Sequence, residues 1–382
     1  MESPFREFIY IPGPNPCLTP GPEGTWEDGV IESAHMLKDH DTYCWYYHGS
    51  GNGLGYQLGV ATASHPLGPW TRHEANPVLA LGPPGSWDDH HVACAFIVKE
   101  GTDRFTMWYS GMSEAEPDRW GIGLATSNSA VGPWEKHPSN PIIAEFGYVG
   151  GVVVREGKYY LYTEHPIGST GQDYGPVSLA VADRPEGPYS EHDGPILERG
   201  EWGDWDDGGV SEAGVFLRSG IFHMFYGGTK LHPTRILGRE SIGYAYSHDG
   251  INFTRHPQNP VGPREGHPNA AAFAEVHAYY EPPFVYCYHT LRYNDRDGHE
   301  DLGVSILATA RPFALAMPLM QLDSLSAGVS TDVSECPAIP LGPVARCALT
   351  VQATCFGPST LQAQAAGTVA VRMDQPCVLV PL

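Results

Sequence analysis

FTMWYSGMSEAEPDRWGIGLATS, residues 105–127, holds two strand-forming runs separated by a polar, turn-forming stretch. FTMWYSG (105–111) is dense in aromatic residues that fit a pleated surface, and GIGLATS (121–127) is small and apolar. The first run returns as YCWYYHG (43–49), YYLYTEH (159–165), FHMFYGG (222–228) and FVYCYHT (284–290). The second returns as LGVATAS (58–64), VSLAVAD (177–183), IGYAYSH (242–248) and LGVSILA (302–308). The period is about 60 residues, long enough for several short strands per unit. Proline steps mark the units, at Asn15-Pro16, Asn76-Pro77, Asn140-Pro141, Gly194-Pro195 and Asn259-Pro260. A further short outer strand follows at GPW (68–70), GPW (132–134), GPY (187–189) and DGINF (249–253). A unit of about four short strands cannot bury its own faces, whereas five arranged radially can. The expected fold is therefore all-β: a five-bladed β-propeller over residues 12–313, within a domain of residues 1–313, with FREFIYI (5–11) as an extra outer strand.

After Phe313 the aromatic pattern stops. ALTVQATCF (348–356), LQAQAAGTVAVRM (361–373) and CVLVPL (377–382) alternate with the period of a half-buried sheet. Residues 314–382 are thus expected to form a small C-terminal β appendage serving packing or homodimer formation. With 45 Gly and 35 Pro among 382 residues, turns recur throughout, as this fold requires. A net charge of −22 opposes binding to nucleic acid and to anionic membranes, leaving a neutral or cationic partner. No apolar run reaches a membrane span and no secretory leader is visible, so a cytoplasmic protein is expected. The eight cysteines show no C-x-x-C pair, and GIGLAT sits in a strand rather than at a strand-to-helix turn, so neither a zinc ribbon nor a dinucleotide site is read from them.

In a propeller blade the start of the first strand and the end of the second lie on one face, so polar residues there converge on a funnel. The first strands open as WEDGVIESAHML (26–37), WDDHHVACAFIV (87–98), WDDGGVSEAGVF (205–216) and HPNAAAFAEVHAYY (267–280). The second strands end at His48, Ser110, Glu164, Gly227 and His289. Because W-[DE]-D recurs in three units, Glu27, Asp88 and Asp206 read as blade architecture. Asp28, Asp89 and Asp207, one residue further on, are candidates for the mouth. Glu32 and Glu212 stand 11 and 10 residues before the aromatic strands of units 1 and 4, where units 2 and 3 have no acid. A carboxylate on an apolar channel strand needs a partner or a purpose. The candidate catalytic set is Glu32, Glu212, Asp89 and Asp207. The candidate substrate-binding set is Asp28, His90, His91, Glu164, His165, Glu275, His277, His289 and Arg292, with Tyr56, Trp120, Tyr174 and Tyr293 as loop aromatics for stacking. Units 1 and 4 are not neighbours in a ring of five, so Glu32 and Glu212 are expected to oppose each other at roughly the 6.5–9.5 Å that inversion of a glycoside requires.

These residues resemble the five-bladed glycosidases of glycoside hydrolase family 43 and its relatives, families 32, 62, 68, 117 and 130. The resemblance covers about 300 residues and rests on the period, the W-Y-S-G and I-G-x-A-T-S strands, and SEAGVFLRSGIFHMFYGG (211–228). It implies a general-acid role for Glu212 and a general-base role for Glu32 or Asp28. It also implies a second acid on an intervening inner strand, which unit 3 lacks and for which Asp89, Asp207 or Glu164 would substitute. For the central channel it implies a structural calcium beside a histidine, His277 or His289, whereas the residues themselves indicate no metal and no cofactor. The expected function is hydrolysis of a terminal pentose, furanose, deoxy or anhydro sugar from short oligosaccharides. Two alternatives are phosphorolysis, with Lys230, His232, Arg235 and Arg239 holding phosphate, and sugar binding without catalysis.

Overall fold

The computed structural model describes residues 3–117, 119–164, 175–211, 213–230, 240–263, 272–292 and 300–309, and the backbone of short strands between 339 and 380. The chain divides into two compact units, Met1–Thr309 and Ala310–Leu382.

The first unit is a five-bladed propeller. Strand β1 (Ile9–Pro12) precedes blade 1, made of β2 (Val30–Asp39), β3 (Thr42–Ser50), β4 (Gln57–Ala63) and β5 (Thr71–Arg72). Blade 2 comprises β6 (His91–Lys99), β7 (Phe105–Met112), β8 (Gly121–Ser127) and β9 (Glu135–Lys136). Blade 3 comprises β10 (Tyr148–Arg155), β11 (Lys158–Glu164), β12 (Val177–Ala182) and β13 (Ser190–Glu191). In blade 4 the inner strand is split into β14 (Gly209–Val210) and β15 (Gly214–Arg218), followed by β16 (Ile221–Thr229), β17 (Glu240–Ser247) and β18 (Thr254–Arg255). Blade 5 has β19 (Ala272–Glu281), β20 (Phe284–Arg292) and β21 (Glu300–Ala308), and its fourth strand is β1, with Ile9 opposite Ala308. The expected N-terminal outer strand thus joins the two ends of the ring.

The core lies between blades. Tyr46, Tyr109 and Met107 pack between blades 1 and 2, and Phe225, Tyr244 and Val276 between blades 4 and 5. Every residue of β7 is buried, which is why such strands read as continuous apolar runs rather than alternating ones.

The recurring proline step and W-[DE]-D triplet form one clamp. In blade 2 the Asn140 side chain accepts from Leu124 N (2.9 Å) and donates to Leu124 O (2.9 Å) and Tyr109 Oη (3.0 Å). Tyr109 in turn donates to Asp88 (3.0 Å), which pairs with Lys136 at 2.6 Å. Asn259, Tyr226, Asp206 and Arg255 repeat this in blade 4, and Asn76, Tyr47, Glu27 and Arg72 follow the same plan in blade 1. The first acids of the triplets are architectural, as their repetition indicates.

In the second unit, described by itself, β22 (Ile339–Pro340) pairs with β25 (Thr368–Met373), which pairs with β24 (Ser359–Gln364). A second antiparallel pair joins β23 (Gln352–Cys355) to β26 (Cys377–Val380). β23 to β26 overlap the segments read as alternating, whereas β22 lies before them.

Candidate active site

Register fixes which residues are counterparts around the funnel. Leu58, Ile122, Val177, Ile242 and Leu302 stand opposite His48, Ser110, Glu164, Gly227 and Thr290. Two sequence assignments shift accordingly. Thr290, not His289, is the blade 5 counterpart of His48 and Ser110, and its hydroxyl accepts Ser33 N (2.8 Å) across the blade 5–blade 1 junction. His289 takes the place that Tyr47, Tyr109 and Tyr226 hold elsewhere, fully buried with Nε2 on Ser305 Oγ (2.9 Å). Likewise, Glu32 faces His48, whereas in blade 4 it is Ser211 whose N–H reaches the Gly227 carbonyl (2.9 Å). By this pairing Ser211 stands in blade 4 where Glu32 stands in blade 1. The bulges in the inner strands of blades 1, 2, 3 and 5 and the split inner strand of blade 4 defeat counting along the sequence. Glu212 and His165 lie outside the described residues, as do Tyr174 and Tyr293.

The second acids of the triplets hold turns. Asp28 accepts Gly24 N (2.6 Å) and Asn52 N (2.9 Å), Asp89 accepts Gly85 N (2.6 Å) and Glu114 N (3.0 Å), and Asp207 accepts Gly203 N (2.9 Å). The backbone N–H bonds also hold the Asp89 carboxyl below its ordinary pKa. A short acidic side chain next to glycine turns does this work readily. Glu164 is buried at the end of β11 and accepts Gly175 N at 3.3 Å.

The carboxyl groups that meet come from blades 1 and 5, neighbours because the ring closes there. Glu32, near the start of β2, bonds His48 Nε2 at 2.6 Å and accepts from Tyr56 Oη at 3.1 Å. Arg292, the last residue of β20, reaches Glu275 at 2.6 Å, Glu300 at 2.9 Å and Glu32 at 3.7 Å. Arg292 and Glu300 are cross-strand partners, and a hydrogen bond links Glu300 to Glu32. Glu275 occupies the bulge of β19 at φ 48°, a left-handed conformation that a non-glycine side chain adopts at a cost.

The two linked carboxyls divide in charge. Burial opposes ionisation of Glu32, but the hydrogen bond and charge of His48, the charge of Arg292 and the hydrogen bond from Glu300 outweigh it and hold its pKa far below the ordinary range. For Glu300, burial and then the Glu32 charge push the pKa up to about 9. Glu300 Oε1 takes the Arg292 bond, while Oε2 is buried and meets no described N–H or O–H donor, the surroundings of an oxygen that carries the proton itself. The opposite shifts favour one carboxylate and one carboxylic acid at neutral pH.

His91 Nδ1 accepts Tyr56 N at 3.0 Å, so the neutral ring carries its proton on Nε2. Burial, with His90 and His48 nearby, lowers its pKa to about 4. Its ring stacks on Trp120 at 5.4 Å, Trp120 meets Tyr148 at 4.7 Å, and His90 lies 4.2 Å away, giving an aromatic row beside Tyr56. His277 lies deeper, buried on β19 with its pKa lowered to about 3 by burial and by His48. Among the described residues no three His, Cys, Asp or Glu side chains gather as a metal site. Of the sequence candidates, Glu32, Glu275, Arg292 and His91 thus meet, while Glu300 was not singled out. Its signal was available: it stands opposite Arg292 in blade 5, at the ring position that Tyr56 holds in blade 1.

No protein-family model matches the chain, and no curated protein sequence does. Solved structures do match. A glycosyl hydrolase from Bacteroides ovatus aligns over 79% of this chain and 94% of its own, with TM-score 0.59 and 16% identity. A family 117 glycoside hydrolase produced by the marine bacterium Zobellia galactanivorans aligns over 80% and 93%, with TM-score 0.54 and 15% identity. A thermostable family-43 glycoside hydrolase aligns over 75% and 91%, with TM-score 0.51 and 15% identity. At such identities the likeness establishes a shared fold, and chemistry must be argued from the site.

Proposed function

We propose that the chain is a glycoside hydrolase that removes a terminal sugar from short oligosaccharides or glycosides. The observation that carries this reading is the Glu32–Glu300 pair: a proton held at neutral pH beside a fixed negative charge, at the funnel end of blades 1 and 5. Glycoside cleavage needs both, a proton for the departing oxygen and negative charge near the oxocarbenium-like transition state. Glu300 is the proton donor in this reading, and Glu32 keeps that proton in place by its own charge. Arg292 lets three carboxyls crowd together and steadies Glu300 once its proton has left.

Carboxyls in contact are nearer than the roughly 5–5.5 Å of retaining pairs or the wider gap of inverting ones, so Glu32 and Glu300 act as one proton-holding unit. With Glu300 as the donor, water activation passes to Glu212, the reverse of the general-acid role that the resemblance implies for it. The His91, Trp120 and Tyr148 row supplies an apolar face for a sugar ring, with His91 Nε2–H as a hydroxyl-directed donor. Because Arg292 is already neutralised by its carboxyl neighbours, the site favours an uncharged sugar over a uronic acid.

The test is time-resolved proton NMR on aryl pentosides and on arabino-, xylo-, fructo- and galacto-oligosaccharides, with Glu32→Gln, Glu300→Gln and Glu212→Gln beside the wild type. Turnover to the inverted anomer, lost in all three variants, is expected. Undiminished turnover by Glu300→Gln would remove it from the proton-donor role, and strict dependence on inorganic phosphate would replace hydrolysis by phosphorolysis.

A further inference from the structure

The inner strands enclose a second space, lower in the channel than the carboxyl cluster. A cavity of about 310 Å³ lies along β2, β6, β15 and β19, within the range of small-ligand sites. His35 and His277 line it, and by register these two occupy the same ring position as Phe96 and Gly214. His35 packs on Phe96 at 3.9 Å and stands edge-on to His277 at 6.1 Å, so the four residues form a layer across the channel. Glu32 comes before this layer on β2, and Lys38 after it.

The polar groups of the cavity are few, and most are spent. Lys38 Nζ is engaged by Tyr43 Oη (2.8 Å) and Glu281 (3.1 Å). His35 bonds the backbone of Ile97, and burial holds both imidazoles neutral near pH 7. His277 Nδ1 has no hydrogen-bond partner among the described residues. Leu37, Phe216 and Tyr280 supply apolar wall. Such walls would strip the water from a sugar's hydroxyls and return almost no hydrogen bonds, which excludes a second sugar subsite. At the outer end Arg218, exposed at the last position of β15, lies over the Tyr280 ring at 4.6 Å and pairs with no described carboxylate. In a chain of net charge −22, a guanidinium that no described carboxylate neutralises, at the rim of an apolar cavity, marks where a ligand's negative charge would sit.

We propose that this end of the channel binds a small aromatic carboxylate, its ring among Phe96, Phe216 and Tyr280 and its carboxylate on Arg218. The inference stands apart from the glycosidase reading, since none of these residues belongs to the carboxyl cluster.

The test is calorimetric titration of the full chain with benzoate and with its neutral isostere benzamide, on the wild type, Arg218→Gln and Ala278→Phe. Saturable benzoate binding is expected, weakened at least tenfold in Arg218→Gln, whereas benzamide affinity stays the same in those two proteins. Ala278→Phe, which fills the space from β19, should abolish binding of both compounds. Arg218 is exposed, so its variant tests the idea even if Ala278→Phe fails to fold. Absence of benzoate binding to the wild type, or equal binding by wild type and Arg218→Gln, would overturn the proposal.

Discussion

Two groups of buried and half-buried acids in this propeller are built from similar parts to different ends. In the blade clamps each carboxylate has a cation of its own: Glu27 has Arg72, Asp88 has Lys136 and Asp206 has Arg255, with a tyrosine and an asparagine completing each set. In the funnel Glu32, Glu275 and Glu300 share Arg292. One-to-one pairing balances each charge where it stands. Three carboxyls on one guanidinium leave a surplus, which the protein resolves by keeping a proton on Glu300. A strand framework gains nothing from that surplus, so it identifies the site more sharply than the number of acids at the mouth does.

The largest effect that would break this contrast is on turnover. Glu300→Gln removes the transferable proton while keeping shape, and kcat for a substrate with a poor leaving group should fall by about 10²–10⁴. Asp88→Asn, which alters a clamp carboxylate and leaves the funnel untouched, should leave kcat per folded molecule unchanged. If both variants lost turnover alike, the distinction between clamp and site would collapse.

Next in size is stability. Asp88→Ala strips the partner from Lys136 and from Tyr109 Oη, and a cost of about 2 kcal/mol is expected by denaturant titration, at the lower end for buried groups because Lys136 is partly exposed. The comparison also shows what the sequence could tell. The clamps were legible because a motif repeated in three blades declares its role by recurring, and the propeller was legible for the same reason. The Glu300–Glu32 pairing was not, because it joins residues at the two ends of the propeller across the junction that ring closure creates. Register was a second obstacle: the inner strands of blades 1, 2, 3 and 5 bulge, and Thr290 rather than His289 pairs with Leu302, the blade 5 counterpart of Leu58.

The shared proton sharpens the contrast through pH. An acid whose folded pKa is raised holds its proton longer folded than unfolded, so stability falls as pH rises from its ordinary 4.5 through about 9. Glu32, held low, acts in the opposite sense and in another window: its contribution is present above its ordinary value and is lost only as the medium becomes acidic. Glu300→Gln should therefore match the wild type in Tm near pH 5 and exceed it by pH 9. A Tm difference that stays flat over this range would mean that Glu300 ionises normally. Activity should follow the same group, with kcat declining as pH rises through about 9, provided that proton transfer limits the rate.

The smallest expected effects come from two tyrosines that perform the same act in the two regions. Tyr109 donates to Asp88 at 3.0 Å and Tyr56 donates to Glu32 at 3.1 Å. Phenylalanine at either position removes one hydroxyl and little volume, so each loss is about 1 kcal/mol, the net worth of a hydrogen bond. The currency in which it appears should differ. In Tyr109→Phe, Asp88 still has Lys136, and the deficit should appear in unfolding while kcat stays within twofold. In Tyr56→Phe, the Glu32 carboxylate is less stabilised and takes up a proton at higher pH. Its deficit should appear as an acidic limit of activity that moves up by about 0.7 pH unit. The pH profile separates this from simple loosening of the loop: a structural defect would lower kcat at every pH alike, whereas a shifted proton moves the limb.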